Sequence, residues 1–256
     1  MLEIKPLHPL FAAEVIGLDL NQQPQPETLN IIDEAFAKYS VLVFRNQDIT
    51  DEQQIRFSQH FGELETTKVG TPGAGSELVV LTNIGPDGDI IPPTSRQMLN
   101  NKANQQWHAD SSFKPVPAKA SMLSARIIPS AGGNTEYISM RAVYAALTDE
   151  MKARIENLVA IHDYAYGRGK IDPDLVTDAE RNALPPVKQA MVLTRADGSK
   201  SLYIGAHCAS VVGMDEAEGR ALIDELMAFA TQPQFIYSHP WTPHDMVLWD
   251  NRAVLH

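Results

Sequence analysis

Two short strings carry residues able to do chemistry. Trp107-His108-Ala109-Asp110 sets an imidazole and a carboxylate two positions apart. On an extended segment such residues point to the same side, so both can reach one metal ion. With a second, distant histidine they would complete the two-histidine, one-carboxylate set that holds non-haem iron(II) and leaves three coordination positions open. Taken alone, His-x-Asp is weak, because ligand sets are recognised by count and geometry; a surface or capping pair has the same spelling. The second string, Trp249-Asp250-Asn251-Arg252-Ala253-Val254-Leu255-His256, runs from apolar residues through a turn-forming Asp-Asn pair to a strand that leads to His256. By itself it reads equally well as a hairpin ending in a histidine.

Those strings need elements to hold them. Leu29, Ile32, Phe36 and Tyr39 recur at helical spacing over residues 27–39, and Val41-Leu42-Val43-Phe44 reads as a buried strand. Thr50-Asp51-Glu52-Gln53 has capping-box form and Gly62 suits a helix end, which predicts a helix over about 51–61. Residues 66–75 read as a Thr/Gly/Pro-rich loop, and Leu78–Ile84 as a strand. Residues 85–106 are polar, carry Pro86, Pro92 and Pro93 and lack apolar periodicity; a loop of that length is a candidate lid or a disordered excursion. Strands are expected over 119–128 and 135–138, after a Gly132-Gly133 turn, and helix over 141–157. Asp197-Gly198 between 187–194 and 201–204 predicts a hairpin. Residues 215–230 form an amphipathic helix with Ala217, Ala221, Leu222, Leu226 and Phe229 on its apolar side, followed by strands at 235–237 and 246–249. The sum is mainly β with surrounding helices, best matched by a double-sheet jelly roll. No repeat or linker divides the chain, so one domain over 1–256 is expected.

Composition narrows the partners. The 256 residues are 44% apolar and 21% charged, ordinary for a globular chain able to bury a core. The formal net charge of −11 opposes a nucleic-acid backbone but leaves room for an anionic small molecule held by a few local cations. Cys208 is the one cysteine, which excludes an internal disulfide and reads as a buried thiol. Met1–Pro6 has no basic region followed by an apolar run, and no segment nears the roughly 20 apolar residues of a membrane span. A cytoplasmic location, with neither nucleic-acid nor membrane partner, is the expectation.

Together the two strings resemble the taurine-dioxygenase group of 2-oxoglutarate-dependent enzymes. Asp110 and His256 stand 256 − 110 = 146 positions apart, a separation that suits that group, and Gly132-Gly133-Asn134-Thr135 also matches. Pro6-Leu7-His8-Pro9-Leu10-Phe11-Ala12-Ala13, Ser40-Val41-Leu42-Val43-Phe44-Arg45 and Ile204-Gly205-Ala206-His207 look closest to the 2,4-dichlorophenoxyacetate (aryloxyalkanoate) dioxygenase branch. The resemblance implies a double-stranded β-helix, which is a jelly roll, in a homo-oligomer. It implies Fe(II) held by His108, Asp110 and His256, with 2-oxoglutarate and O2 as cosubstrates. Thr135 would bond the distal carboxylate of 2-oxoglutarate, with Asn104 a polar neighbour of the site. Lys68 would pair with a substrate carboxylate, and His207 and Ser112 would face the substrate. Oxidative decarboxylation would yield succinate and CO2, and hydroxylation beside an ether oxygen would give a hemiacetal that collapses to a phenol and an oxoacid.

One departure stands out. The family carries an Arg roughly eleven residues beyond the distal His that forks onto the distal carboxylate of 2-oxoglutarate, a geometry hard to replace. The sequence stops at His256, so the expectation is that this Arg follows in a longer chain. The other histidines, His8, His60, His162, His239 and His244, lack a partner pattern and read as structural or exposed, and Arg96 and Lys102 as solvated charge. His207 also has a bland alternative, a hydrogen-bonded core imidazole. Two rivals remain: the same chemistry on a sulfonate, sulfate ester or natural aromatic acid, and a metal-binding protein without oxygenase activity.

Overall fold

A computed structural model describes residues 2–66 and 76–256. Strands β1 (Glu3–Pro6) and β2 (Ala13–Ile16) form a hairpin, and α1 (Pro26–Tyr39) leads into β3 (Val41–Phe44). Ser40 ends α1 in the left-handed region at φ 61°. Helix α2 (Asp51–Ser58) starts on the capping box expected at Thr50, with both reciprocal bonds to Gln53, and a 3₁₀ turn carries it to Phe61. The polar stretch 85–106 contains α3 (Arg96–Ala103), capped by Ser95, and is therefore not a structureless loop. Its apolar periodicity is too weak to announce it. The strand expected at 78–84 is absent: Val79, Val80 and Leu81 are more than half exposed, and only an isolated Ile84–Ile90 bridge forms.

Next come β4 (Ala120–Ser124), β5 (Thr135–Ser139), α4 (Met140–Ala146) and α5 (Asp149–Ile155), so the helical stretch 141–157 is two helices, each with its own cap, Ser139 and Thr148. Then follow β6 (Val159–His162), α6 (Tyr164–Gly169), α7 (Asp178–Ala183) and β7 (Val187–Ala190). Strands β8 (Val192–Thr194) and β9 (Lys200–Leu202) pair antiparallel about Asp197-Gly198, with Gly198 at φ 80°. The chain closes with β10 (Cys208–Val211), α8 (Glu216–Ala230), β11 (Ile236–His239), β12 (Met246–Asp250) and β13 (Val254–Leu255). Helix α8 buries Gly219, Leu222, Ile223, Leu226 and Ala230, whereas Ala217 and Ala221 face outward. The buried face is rotated from the expected one because the missing side chain of Gly219 lets the helix settle on Val211, whose nitrogen a Cβ would meet at 3.2 Å.

The described residues are mixed α/β, with several small sheets instead of two long ones. The five-stranded sheet runs β1-β2-β3-β12-β4, and a three-stranded sheet runs β11-β5-β13. Alternation along β3 and β12 sorts the core. Leu42, Phe44, Met246 and Leu248 turn to α1 and α2, where they meet Ile32, Phe36 and Phe57. Val41, Val43, Val247 and Trp249 turn the other way, onto Tyr137, Tyr237 and Val254 of the smaller sheet. Between those two inner faces the site is built. No helix among the described residues is long and apolar enough to cross a membrane.

Candidate active site

His108 and His256 meet through their backbones. Each donates its amide to the other's carbonyl at 3.0 Å, an antiparallel pair just beyond the last residues of β13. On the other side, Ala206 donates to the Trp107 carbonyl at 2.9 Å. The approach is close enough that Gly205, at φ 153°, has no room for a side chain: a Cβ would lie 3.1 Å from the Trp107 oxygen and 3.5 Å from the His108 Cα. Residues 107 and 108 are thus held by neighbours on both sides, although the chain bends at Trp107 and turns at Asp110 and so is not the extended strand expected for His-x-Asp.

The three candidate ligands converge. Ligand atoms of His108, Asp110 and His256 all lie within 4.8 Å of one another, the one such trio among the described residues. His108 Nε2 is 3.5 Å from Asp110 Oδ1, and His256 Nε2 is 3.7 Å from Asp110 Oδ2. Adjacent donors around an ion with bonds of about 2.1 Å stand about 3 Å apart, so small side-chain rotations bring all three onto one ion. His108 Nδ1 sits 2.8 Å from the Gln106 carbonyl, which fixes that nitrogen as the donor and leaves the Nε2 lone pair for a metal. His256 packs 4.7 Å from Trp249 and stacks on Tyr137 at 6.2 Å, ring centre to ring centre. Its Nδ1 is buried with no hydrogen-bond partner among the described residues.

Charge is set for metal binding. Burial, reinforced by His108, pulls the His256 pKa down to about 3, so the imidazole is neutral near pH 7, the form that ligates. For Asp110, burial raises the pKa, but His256, His108 and the Ser121 hydroxyl outweigh it and hold the carboxyl well below its usual range. Ser121 Oγ donates to Asp110 Oδ2 at 2.6 Å, and Asn251 Nδ2 donates to Ser121 Oγ at 2.8 Å. The Asn251 side-chain oxygen accepts from the Asp110 amide at 3.0 Å and from the Trp249 indole at 3.1 Å. One asparagine therefore positions the backbone and, through Ser121, the carboxylate of the same residue. Asn251 stands inside a string singled out above, whereas Ser121 carries no local signal and becomes visible only when β4 pairs with β12.

The other expected site residues are spread around this centre. Thr135 opens β5, two positions before Tyr137 and so on the same side of the strand as the ring against His256; its hydroxyl oxygen accepts from the Trp241 indole at 2.9 Å. His207 is buried, 6.2 Å from His108 and 4.8 Å from Phe113 by ring centres. Ser112 is buried and its carbonyl accepts from Gln189. Asn104 is exposed at the C-terminal end of α3, where its oxygen accepts from Arg168 at 3.3 Å. Lys68 lies outside the described residues. Cys208 is buried as expected, 3.2 Å from His162 Nε2, and burial raises its thiol to about 12, an unreactive group. Arg96 is exposed, as expected of a solvated charge, and it also donates to the Leu175 carbonyl and pairs with Glu180 at 2.5 Å.

A two-histidine, one-carboxylate cluster with an oriented imidazole, set between two sheets, is the ligand set of non-haem iron oxygenases. The pattern of the "Taurine catabolism dioxygenase TauD, TfdA family" matches residues 3–256. The chain belongs to this family, whose members are 2-oxoglutarate-dependent non-haem iron dioxygenases. It is 42% identical to the alpha-ketoglutarate-dependent 2,4-dichlorophenoxyacetate dioxygenase of Cupriavidus pinatubonensis, over 98% of this chain and 90% of that enzyme. It is 37% identical to the (S)-phenoxypropionate/alpha-ketoglutarate-dioxygenase of Sphingobium herbicidovorans, over 99% and 88%. Among solved structures, AAD-2 in complex with Mn(II) and N-oxalylglycine superposes with a TM-score of 0.91 at 43% identity, over all of this chain and 90% of that one.

Proposed function

We propose that this chain uses 2-oxoglutarate and O2 to hydroxylate a small organic acid, with aryloxyalkanoates as the substrate class and a double-stranded β-helix as its scaffold over one domain. The convergence of His108, Asp110 and His256 carries the reading. These three would hold Fe(II), which supplies the oxygen activation when bound. The protein's own part is positional. Gln106 and Asn251 aim His108 and Asp110, Thr135 meets the distal carboxylate of 2-oxoglutarate, and the aromatic wall of Phe113 and Tyr164 excludes water from the substrate side. Kinship with two enzymes named for phenoxy acids supports the substrate class. The test is a succinate-release panel with Fe(II), 2-oxoglutarate and ascorbate, offering aryloxyacetates, aryloxypropionates, alkyl sulfates and sulfonates. Release above the substrate-free rate is expected with the aryloxy acids; release with the sulfur acids alone would move the enzyme to another substrate class.

Three residue roles follow. Ser121→Ala removes the hydroxyl that orients Asp110, and outer-sphere partners of this kind are worth about 10–100-fold in metal affinity. The Fe(II) concentration for half-maximal activity should rise by that order, with little change in turnover at saturating iron. For Thr135, the Trp241 indole uses the oxygen and leaves the hydroxyl hydrogen for a carboxylate, a bond worth roughly 1.5–3 kcal/mol. Thr135→Val is expected to raise the KM for 2-oxoglutarate with iron affinity intact; an unchanged KM removes Thr135 from the cosubstrate site.

Lys68 is proposed to hold the substrate carboxylate. Glu65, three residues earlier, accepts from Ser111 Oγ at 2.8 Å and pairs with Lys114, so the chain enters this segment beside Asp110. Lys68→Met keeps most of the stem and removes the charge. Efficiency on carboxylate substrates should fall about 30- to 1,000-fold, while substrate-free turnover of 2-oxoglutarate is spared. Full efficiency on every accepted acid would make Lys68 an ordinary surface lysine.

A further inference from the structure

We propose that Arg168 is a second selecting cation of this site: it binds the anionic group of an acid whose aryl ring packs on Phe113 and Tyr164. The proposal rests on the oxygenase reading above. It starts from α6, where Tyr164 and Arg168 are one helical turn apart and share a face. The guanidinium lies 4.2 Å over the Tyr164 ring. From there the rings run without a break toward the candidate metal centre: Tyr164 to Phe113 at 4.9 Å, Phe113 to His207 at 4.8 Å, His207 to His108 at 6.2 Å. A cation at the end of a run of aromatic rings beside the candidate metal centre matches an aryl acid in charge and in the ring contacts it offers.

The helix carrying Arg168 is locked to the centre. Gln106 donates through Nε2 to the Gly167 carbonyl at 2.9 Å, while its own carbonyl holds His108. Gly167 packs so closely that a Cβ would lie 3.0 Å from the Ala206 oxygen and 3.5 Å from His207 Nδ1. One glutamine thus ties a ligand imidazole to the turn that presents the cation.

The polar partners of Arg168 leave its charge under-compensated. Nε donates to Asn100 Oδ1 at 3.1 Å and Nη2 to Asn104 Oδ1 at 3.3 Å, both neutral amide oxygens, and Tyr164 is a further side-chain partner. Among the described residues no carboxylate forms an ion pair with Arg168, whereas the partly buried Arg45, Arg195 and Arg220 each have one. Glu180, which could serve, is taken by Arg96. Burial pulls the Arg168 pKa below its ordinary value, and Tyr164, then Glu180 and Asp110 without an ion pair, offset that only in part. A half-buried cation held by dipoles gains from an incoming anion.

The competing role is a staple joining α6 to α3 through the two asparagines. Binding measurements separate the two. Protein loaded with Mn(II) and N-oxalylglycine is titrated calorimetrically with phenoxyacetate and with its neutral amide. R168Q is expected to weaken phenoxyacetate about 10- to 100-fold, and the amide by less than about threefold. N100A, which removes a staple contact and keeps the cation, should preserve the acid-over-amide preference. Equal weakening of both ligands by R168Q, or no weakening, overturns the proposal, as does loss of the preference in N100A should R168Q not fold. A wild-type protein that binds neither ligand and releases no succinate with any aryl acid overturns the substrate reading itself. Wild-type binding that R168Q leaves intact overturns the role of Arg168 alone.

Discussion

Asp110→Ala is expected to lose Fe(II) on dialysis and to cut succinate release by about a thousandfold or more, because a bound metal supplies several kcal/mol of charge stabilisation and each 1.36 kcal/mol is a factor of ten. The carboxylate is the only anionic member of the trio, and the His256 imidazole left behind is neutral near pH 7. Fold and metal binding separate cleanly in this variant. The Asp110 side chain is about a third exposed (36%), so the apoprotein should unfold within a few degrees of wild type. Wild-type protein should gain about 2.7 kcal/mol from an ion present at a hundred times its Kd, a gain that chelator removes. The variant should show no chelator-dependent shift. Retained iron with normal turnover would remove Asp110 from the metal site.

Asp250→Ala should be the most damaging change outside the metal cluster. Asp250 is fully buried and pairs with both Arg195 and Arg252, the latter through Nε and Nη2 at 2.9 Å each. It also shapes the turn: the Arg252 amide donates to its side chain at 3.0 Å and the Ala253 amide to its carbonyl at 2.9 Å. Breaking a buried pair leaves the other charge uncompensated and costs about 3–5 kcal/mol, which for a chain of this size lowers Tm on the order of 10 °C. Urea and thermal unfolding check it. A cost near that of an exposed ion pair, under about 1 kcal/mol, would mean that water reaches both guanidinium groups. Because the turn delivers β13 and His256, surviving protein should also bind iron more weakly.

What could be seen in the sequence and what could not follows from the range of each interaction. The strings 107–110 and 249–256 are ambiguous one by one and become legible as a ligand set because, taken together, their residue types match a family pattern. The capping box at Thr50 and the Asp197-Gly198 turn are legible by themselves: all their partners lie within four residues. Ser121, Gln106 and Arg168 stayed hidden because their value comes from segments that meet only in the fold. Val79-Val80-Leu81 has the composition of a strand and no neighbour to pair with, so composition misleads. Arg96–Ala103 is the reverse case, a helix secured by the Ser95 cap and by contacts to 82, 175 and 180 without an apolar stripe of its own. On α8 the packing face is displaced by one glycine, a close approach that no periodicity encodes.

The place of β12 in the larger sheet has a bearing on how the chain is made. Strand β12 lies between β3 and β4, with Met246 opposite both Phe44 and Ser124. A ribosome adding about 5–20 residues per second needs on the order of ten seconds or more between the emergence of β3 and that of its partner. During that interval the four buried residues Val41-Leu42-Val43-Phe44 have β2 on one side and an open ladder edge on the other. Such long-separation pairings make folding slow and leave strand edges free to find other chains. Helices α1, made just before β3, and α2, made just after it, cover one face of that unfinished sheet, while the face that later meets Tyr137 and Tyr237 stays bare until its partners arrive. Newly made chains are therefore most exposed to aggregation, and most in need of chaperone cover, in the period just before residues 246–250 take their place.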